Sequence, residues 1–139
     1  MKKSTVFDIL KRPGKIAFEL RITEMRIEAL ENMLQGHAIR YDLDKVQTSP
    51  EDRVAEVVAS MEELMKKRRM LQGAIATASD RSAALIDELP DEKSRLILYC
   101  RYTSGLSWRD TAAASGYEER QTYRIHDAAI DWLAENVKN

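Results

Sequence analysis

Residues 105–126 read Gly105-Leu106-Ser107-Trp108-Arg109-Asp110-Thr111-Ala112-Ala113-Ala114-Ser115-Gly116-Tyr117-Glu118-Glu119-Arg120-Gln121-Thr122-Tyr123-Arg124-Ile125-His126, and this stretch decides how the C-terminal part of the chain folds. Ser107 precedes a short run of helix formers, Trp108 to Ala114, and Ser107-x-x-Asp110 has capping-box spacing with Asp in place of Glu. Gly116 punctuates the pattern. A second helix is expected from about Glu118 to Val137, with Thr122, Ile125, Ala129, Trp132 and Leu133 on one face. Glu119, Arg120, Gln121, Tyr123 and Arg124 fall on its other faces. The small residues Ala112 and Gly116 are expected to let the first helix and the turn approach the second closely.

Upstream, Leu89-Pro90 opens another helix, whose first turn suits Asp91 and Glu92 and whose apolar face is Leu89, Leu96, Ile97, Cys100 and Tyr102. Gly105 ends it. A short helix, a glycine-containing turn and a second helix rich in Arg, Gln and Tyr make the kind of unit that lays one helix into the DNA major groove. Arg pairs bidentately with guanine, Gln with adenine, and Glu accepts from the cytosine amino group. Glu119, Arg120, Gln121, Tyr123 and Arg124 are therefore the candidate groove-facing residues, double-stranded DNA is the expected partner, and His126 is a candidate phosphate donor. Trp108 and Trp132 fall where core packing explains them.

The first half is organised by period. Ile16, Leu20, Thr23, Ile27, Leu30 and Leu34 are spaced four, three, four, three, four, a seam along one helix. Pro13-Gly14 is expected to stop anything earlier from joining it, and Gly36 to end it. Phe18, Ile22, Met25 and Met33 widen the apolar face, which predicts packing against more than one neighbour. Ser49-Pro50-Glu51-Asp52 then supplies an N-cap, a proline at the first helical position and acids in the first turn. From there Val54, Val57, Met61, Leu64, Arg68, Leu71, Ile75, Ala78, Ser82, Leu85 and Leu89 alternate three and four, so a long helix extends nearly to Pro90, with a bend expected at Gly73 and Ala74–Ser79. Two such seams joined by about a dozen residues fit an antiparallel helical hairpin. Its outer apolar residues predict self-association, as a homodimer or higher homo-oligomer, the alternative being a monomer whose hairpin packs onto its own C-terminal domain. The basic run Lys66, Lys67, Arg68 and Arg69 reads as a solvated helix face with Arg68 snorkelling outward, the alternative being a phosphate-contacting patch.

Composition agrees with this. With 44% hydrophobic and 32% charged residues among 139, and few Gly and Pro, the chain reads as all-α and able to bury one modest core or two small ones. The expected domains are 1–88, the hairpin, and 89–139, the DNA-binding unit. No apolar run follows Lys2 and Lys3, so neither a signal peptide nor a membrane span is supported, and a cytoplasmic protein is expected. The single cysteine, Cys100, reads as a small core residue. His37, Asp42 and Asp44 fit no metal-ligand spacing and read as a solvated loop. There is no carboxylate pair on an identifiable cleft, no supported Cys–His arrangement and no glycine-rich phosphate loop, so a non-enzyme without cofactor or metal is expected. Net charge is −1, which leaves no global field to attract nucleic acid. Residues 89–139 carry Lys93, Arg95, Arg101, Arg109, Arg120, Arg124 and Lys138 against Asp91, Glu92, Asp110, Glu118, Glu119, Asp127, Asp131 and Glu135, so DNA affinity has to come from local patches.

Residues 89–133 resemble the fourth conserved region of bacterial sigma factors, the helix-turn-helix that reads the promoter −35 element. The whole chain, with its hairpin containing Asp44-Lys45-Val46-Gln47-Thr48-Ser49-Pro50, resembles small phage-encoded sigma-region-four-like proteins grouped with ArpU-type late transcriptional regulators. The resemblance implies DNA binding in transcription control of a phage or prophage and, in some relatives, contact with host RNA polymerase. By position, Glu119, Arg120, Gln121, Tyr123 and Arg124 match recognition-helix residues that face bases or phosphates. Arg109 matches a backbone contact on the preceding helix, and Ser107 and Trp108 match that helix's start, making Ser107 a further candidate at phosphate. The chain departs from the family at Thr111, Ser115 and Thr122, where aliphatic residues are usual, and at Glu118, where Ser or Thr caps. A buried hydroxyl without a partner costs about 1–3 kcal/mol, so these positions are expected to weaken the small core.

Two other readings are consistent with the residues. One is a protein-interaction module that occupies a sigma factor's site on RNA polymerase or docks another phage protein, favoured by the near-zero charge. The other is a DNA-packaging adaptor of small-terminase type, although there the DNA-binding unit usually comes first in the chain.

Overall fold

A computed structural model describes residues 1–35 and 49–138, and among them every regular element is helical, with no strand. The helices are α1 (Lys3–Leu34), α2 (Pro50–Asp87), α3 (Glu92–Leu98), α4 (Trp108–Ser115) and α5 (Glu119–Asn136). A π-helical segment, Tyr99–Thr103, continues α3. None of these helices is long and apolar enough to cross a membrane.

Helix α1 does not stop at Pro13-Gly14 as expected but runs through both residues. An internal proline removes a backbone hydrogen bond and crowds the preceding turn, at a cost of about 3 kcal/mol. Val6, Ile9 and Leu10 before it and Ile16 after it are all buried, as is Pro13 itself. Each such apolar side chain contributes about 1.5–3 kcal/mol, so packing outweighs the local penalty. The expected end at Gly36 and the residues His37, Asp42 and Asp44 lie outside the described residues.

Helix α2 starts as its sequence predicts, with Ser49 Oγ accepting the Asp52 N–H at 3.2 Å ahead of Pro50, Glu51 and Asp52. It continues as helix through Gly73, and its last turn tightens, with the N–H groups of Glu88 and Leu89 donating to the carbonyls of Leu85 and Ile86. Asp91 then caps α3. Its carboxylate accepts from the N–H groups of Lys93 and Ser94 and from the Ser94 hydroxyl, which together hold its pKa below the usual carboxylate range. Leu96, expected on the buried face of α3, is 44% exposed; Ile97 and Leu98 are the buried pair.

The chain divides into two compact units, one of Met1–Ile16 with Ala74–Asn139 and one of Ala17–Gly73. The reason is the core of the first unit, where Val6, Ile9 and Leu10 of α1 and Leu85, Ile86 and Leu89 at the end of α2 cluster with Ile97 and Leu98 of α3 and Ala129, Ile130 and Leu133 of α5. Some fifty residues of short helices make only a marginal core by themselves, and the ends of both long helices add to it.

In the second unit Thr23, Ile27 and Leu64 of the predicted seam are buried and Leu20, Leu30, Val57, Met61 and Leu71 are half-buried, whereas Leu34 and Val54 at its ends are 36% and 41% exposed. Thr23 satisfies its hydroxyl by donating to the Glu19 carbonyl at 2.9 Å. Arg68 is half-buried on the seam, between exposed neighbours Lys67 and Arg69. Phe18, Ile22 and Met25 do not pack against a further neighbour as expected; they are 61%, 42% and 62% exposed.

Because Leu10 is fully buried in the core that holds α5, Leu10→Ala is expected to cost about 2–5 kcal/mol. Denaturant unfolding followed by fluorescence of Trp108 and Trp132, both in the first unit, checks it: the midpoint should fall although Leu10 is distant from both in sequence.

Candidate nucleic-acid interface

Three residues, Gly116-Tyr117-Glu118, turn the chain from α4 to α5. Ser107 caps α4 through its Oγ, which accepts the Asp110 N–H at 3.1 Å, the serine half of the expected capping box. Gly116 closes α4 with φ 77°, and its N–H and that of Tyr117 donate to the Ala112 carbonyl at 3.0 and 3.2 Å. The expectation that Gly116 permits close approach is corrected, because a Cβ there would meet nothing within 4 Å. Glycine suits the position through its left-handed backbone, which costs other L-residues about 1–2 kcal/mol. Ala112 is buried as expected.

The hydroxyls of Thr111, Ser115 and Thr122, expected to weaken the small core, are handled unequally. Thr122 Oγ1 donates to the Glu118 carbonyl at 2.9 Å and Ser115 Oγ to that of Ala112 at 3.0 Å, so both are satisfied. Thr111 is fully buried and its Oγ1 has no partner. Glu118 stands at the N-cap in extended conformation without a side-chain capping bond.

One face of α5 is fixed by burial of Thr122, His126, Ala129, Ile130 and Leu133. With 3.6 residues per turn, Arg120, Gln121 and Arg124 then fall on the outer side, where they are exposed, as is Glu119. Together with Glu118, Ile125 and Ala128, the residues Arg120, Gln121 and Arg124 line an open concavity of about 570 Å³. Of the candidates on the preceding helix, Arg109 is exposed and Ser107 is exposed with its oxygen engaged in the cap. Further along α5, Asp127 and Glu135 are exposed and Asp131 pairs with Lys3 of α1 at 2.5 Å. Positive charge is thus confined to the first turns of α5.

Tyr123 is 43% exposed and is braced from within. Its ring lies 4.4 Å from that of Trp108, and the Arg101 guanidinium sits 4.3 Å over the Trp108 ring. Arg101 also donates from Nη1 to the Leu106 carbonyl at 2.7 Å, which ties down the turn before α4. Its Nε is buried without a hydrogen-bond partner. Sequence reasoning missed Arg101 because its target lies across the Gly105 turn, where neither helical nor strand spacing signals a contact.

His126 is not placed at the surface. It is 4% exposed, with Nε2 2.7 Å from the Tyr102 hydroxyl and Nδ1 3.0 Å from Asp127 Oδ1. A carboxylate can only accept, so Nδ1 carries the proton, and in the neutral ring Nε2 accepts from Tyr102. Both nitrogens are engaged inside the protein, which separates His126 from the exposed group Arg109, Glu119, Arg120, Gln121, Tyr123 and Arg124. The ring also meets Trp108 edge-on at 4.8 Å and lies 6.3 Å from Phe7 of α1. Burial lowers the His126 pKa from its ordinary value, against the opposing pull of Asp127. No protein-family model, curated protein or solved structure matches the chain.

Two outcomes follow from the buried polar groups. Thr111→Val keeps the shape and removes an unpaired hydroxyl, and should raise stability by about 1 kcal/mol in denaturant unfolding, whereas Thr122→Val, which gives up a made bond, should not. For His126 the unfolded chain takes up a proton more readily than the folded one. Its contribution is therefore fully present above an unfolded pKa of about 6.5 and is lost as pH falls through that value toward the lower folded one. Thermal melts between about pH 7.5 and pH 5 should show this loss, and His126→Gln should flatten the slope in that window.

Proposed function

We propose that the protein is a phage or prophage transcription regulator that binds promoter DNA. Its helix-turn-helix, of the sigma region-four kind, is formed by α4, the Gly116 turn and α5, and an antiparallel α1–α2 hairpin carries it and self-associates. One observation carries this reading: Arg120, Gln121 and Arg124 are exposed together on the first turns of α5 while the opposite face of that helix is locked in the core. Those residue types read base edges in the major groove, and the start of a recognition helix is where they are needed. Tyr123, braced by Trp108, and Arg109 on α4 supply the flanking contacts, and Ser107, whose oxygen accepts in the cap of α4, can still donate its O–H to a phosphate.

With a net charge of −1 the chain gains little from long-range attraction, so a single unit binds weakly. Two linked units raise the effective concentration of the second contact, which is the role assigned to self-association. The acidic side chains Asp127 and Glu135 on the later turns of α5 favour a second reading, in which that part of the helix meets a basic protein surface such as one on host RNA polymerase.

Selection from random duplex DNA with the purified full chain, at low and moderate salt, tests the first reading. An enriched motif should persist as salt rises, and Arg120→Ala or Arg124→Ala should lose about 1–3 kcal/mol of discrimination at one position with helix content unchanged. The same motif selected by both variants, or none at either salt, overturns it. Co-purification of polymerase subunits without DNA retention selects the second.

A further inference from the structure

The side of α1 away from its buried seam carries an apolar stripe that no other described residue covers, and the charges beside it are ordered. Phe18, Ile22, Met25 and Ala29 recur at helical spacings of four, three and four, and all four are exposed. The buried residues Thr23 and Ile27 occupy the opposite side of the same helix. Glu19 and Arg26 flank one edge of the stripe and Arg21 and Glu28 the other, all exposed. Beside Ala29 the surface opens into a concavity of about 460 Å³, formed with Arg26, Leu30, Ser60, Glu63 and Leu64.

We infer that two copies of this chain pair through α1 in antiparallel register, so that Phe18 of each packs at Ala29 of the other and Ile22 at Met25. The inference rests on the self-associating hairpin of the proposed function and names its interface. The occupant is fixed by charge. When two helices pair antiparallel through the four-three-four stripe, residues on the same edge of the two copies face each other. In this register Glu19 of one copy meets Arg26 of the other and Arg21 meets Glu28, and the two-fold axis repeats both, giving opposite charges at every flanking pair. Parallel pairing sets Arg21 against Arg26 of the second copy, a like-charge contact that selects against it. The large Phe18 opposite the small Ala29, at the edge of the concavity, is the size complementarity that an antiparallel seam requires. Exposed ion pairs add little affinity, but they set orientation. The seam covers only about three turns, ~16 Å, well below a standard interface, so the dimer forms reversibly with concentration.

Analytical ultracentrifugation of the full chain over roughly a hundred-fold range of concentration tests this, with far-UV circular dichroism to confirm each variant's fold. The wild type should show a monomer–dimer equilibrium. Arg26→Glu, which sets two glutamates against two glutamates, should weaken it by about tenfold or more, less so at high salt. The double variant Glu19→Arg with Arg26→Glu restores opposite charges and should recover the wild-type affinity, and Ala29→Trp should abolish pairing by filling the space for Phe18. A wild type that stays monomeric, a dimer indifferent to Arg26→Glu or Ala29→Trp, or a double variant as weak as the single one overturns the inference. Arg120→Ala lies outside the stripe and should leave the dimer intact, so loss of DNA selection with unchanged self-association counts against the DNA reading alone.

Discussion

Leu10, Ile86 and Leu133 meet in one core although they come from the two long helices and the last helix, and the orientation of α5 depends on that meeting. A helix with one buried face has its opposite face assigned without further choice. Burying Thr122, His126, Ala129, Ile130 and Leu133 is therefore what turns Arg120, Gln121 and Arg124 outward. The same core explains why α1 tolerates Pro13, since several buried aliphatic side chains outweigh one lost backbone bond.

Around that core, polar groups do the fine positioning. The chain Asp127–His126–Tyr102 ties α5 to the segment after α3, and the Arg101–Trp108–Tyr123 stack ties that segment to α4 and back to α5. Aromatic and imidazole packing supplies rigidity there, and Thr111, unlike Thr122 and Ser115, is left without a bond for its hydroxyl.

Much of this was legible in the amino-acid sequence, for identifiable reasons. The Ser49-Pro50-Glu51-Asp52 start, the Ser107 cap, Gly116 and the three-four seam are local signals, and local signals survive folding. Exposure of Arg120, Gln121 and Arg124 followed from helical period alone. The passage of α1 through Pro13, the unit boundary inside α2 and the burial of His126 were not legible, because each depends on a partner far along the chain. Phe18, Ile22 and Met25 are apolar and at helical spacing, which predicts packing, yet all three are exposed. Period shows which residues share a side of a helix but not whether anything covers it.

The π-helical segment Tyr99–Thr103 carries a consequence of its own. The Ser104 N–H reaches back five residues to the Tyr99 carbonyl, so the turn accommodates one residue more than an α-helix of the same rise. One residue is about 100° of rotation, enough to swing Arg101 and Tyr102 from one side of the helix to another. A relative that lacks this extra residue can keep every buried aliphatic of α3 and still aim both side chains elsewhere. The length of this segment, more than its composition, is thus the feature by which relatives sharing the brace on α5 can be told from those sharing only the fold.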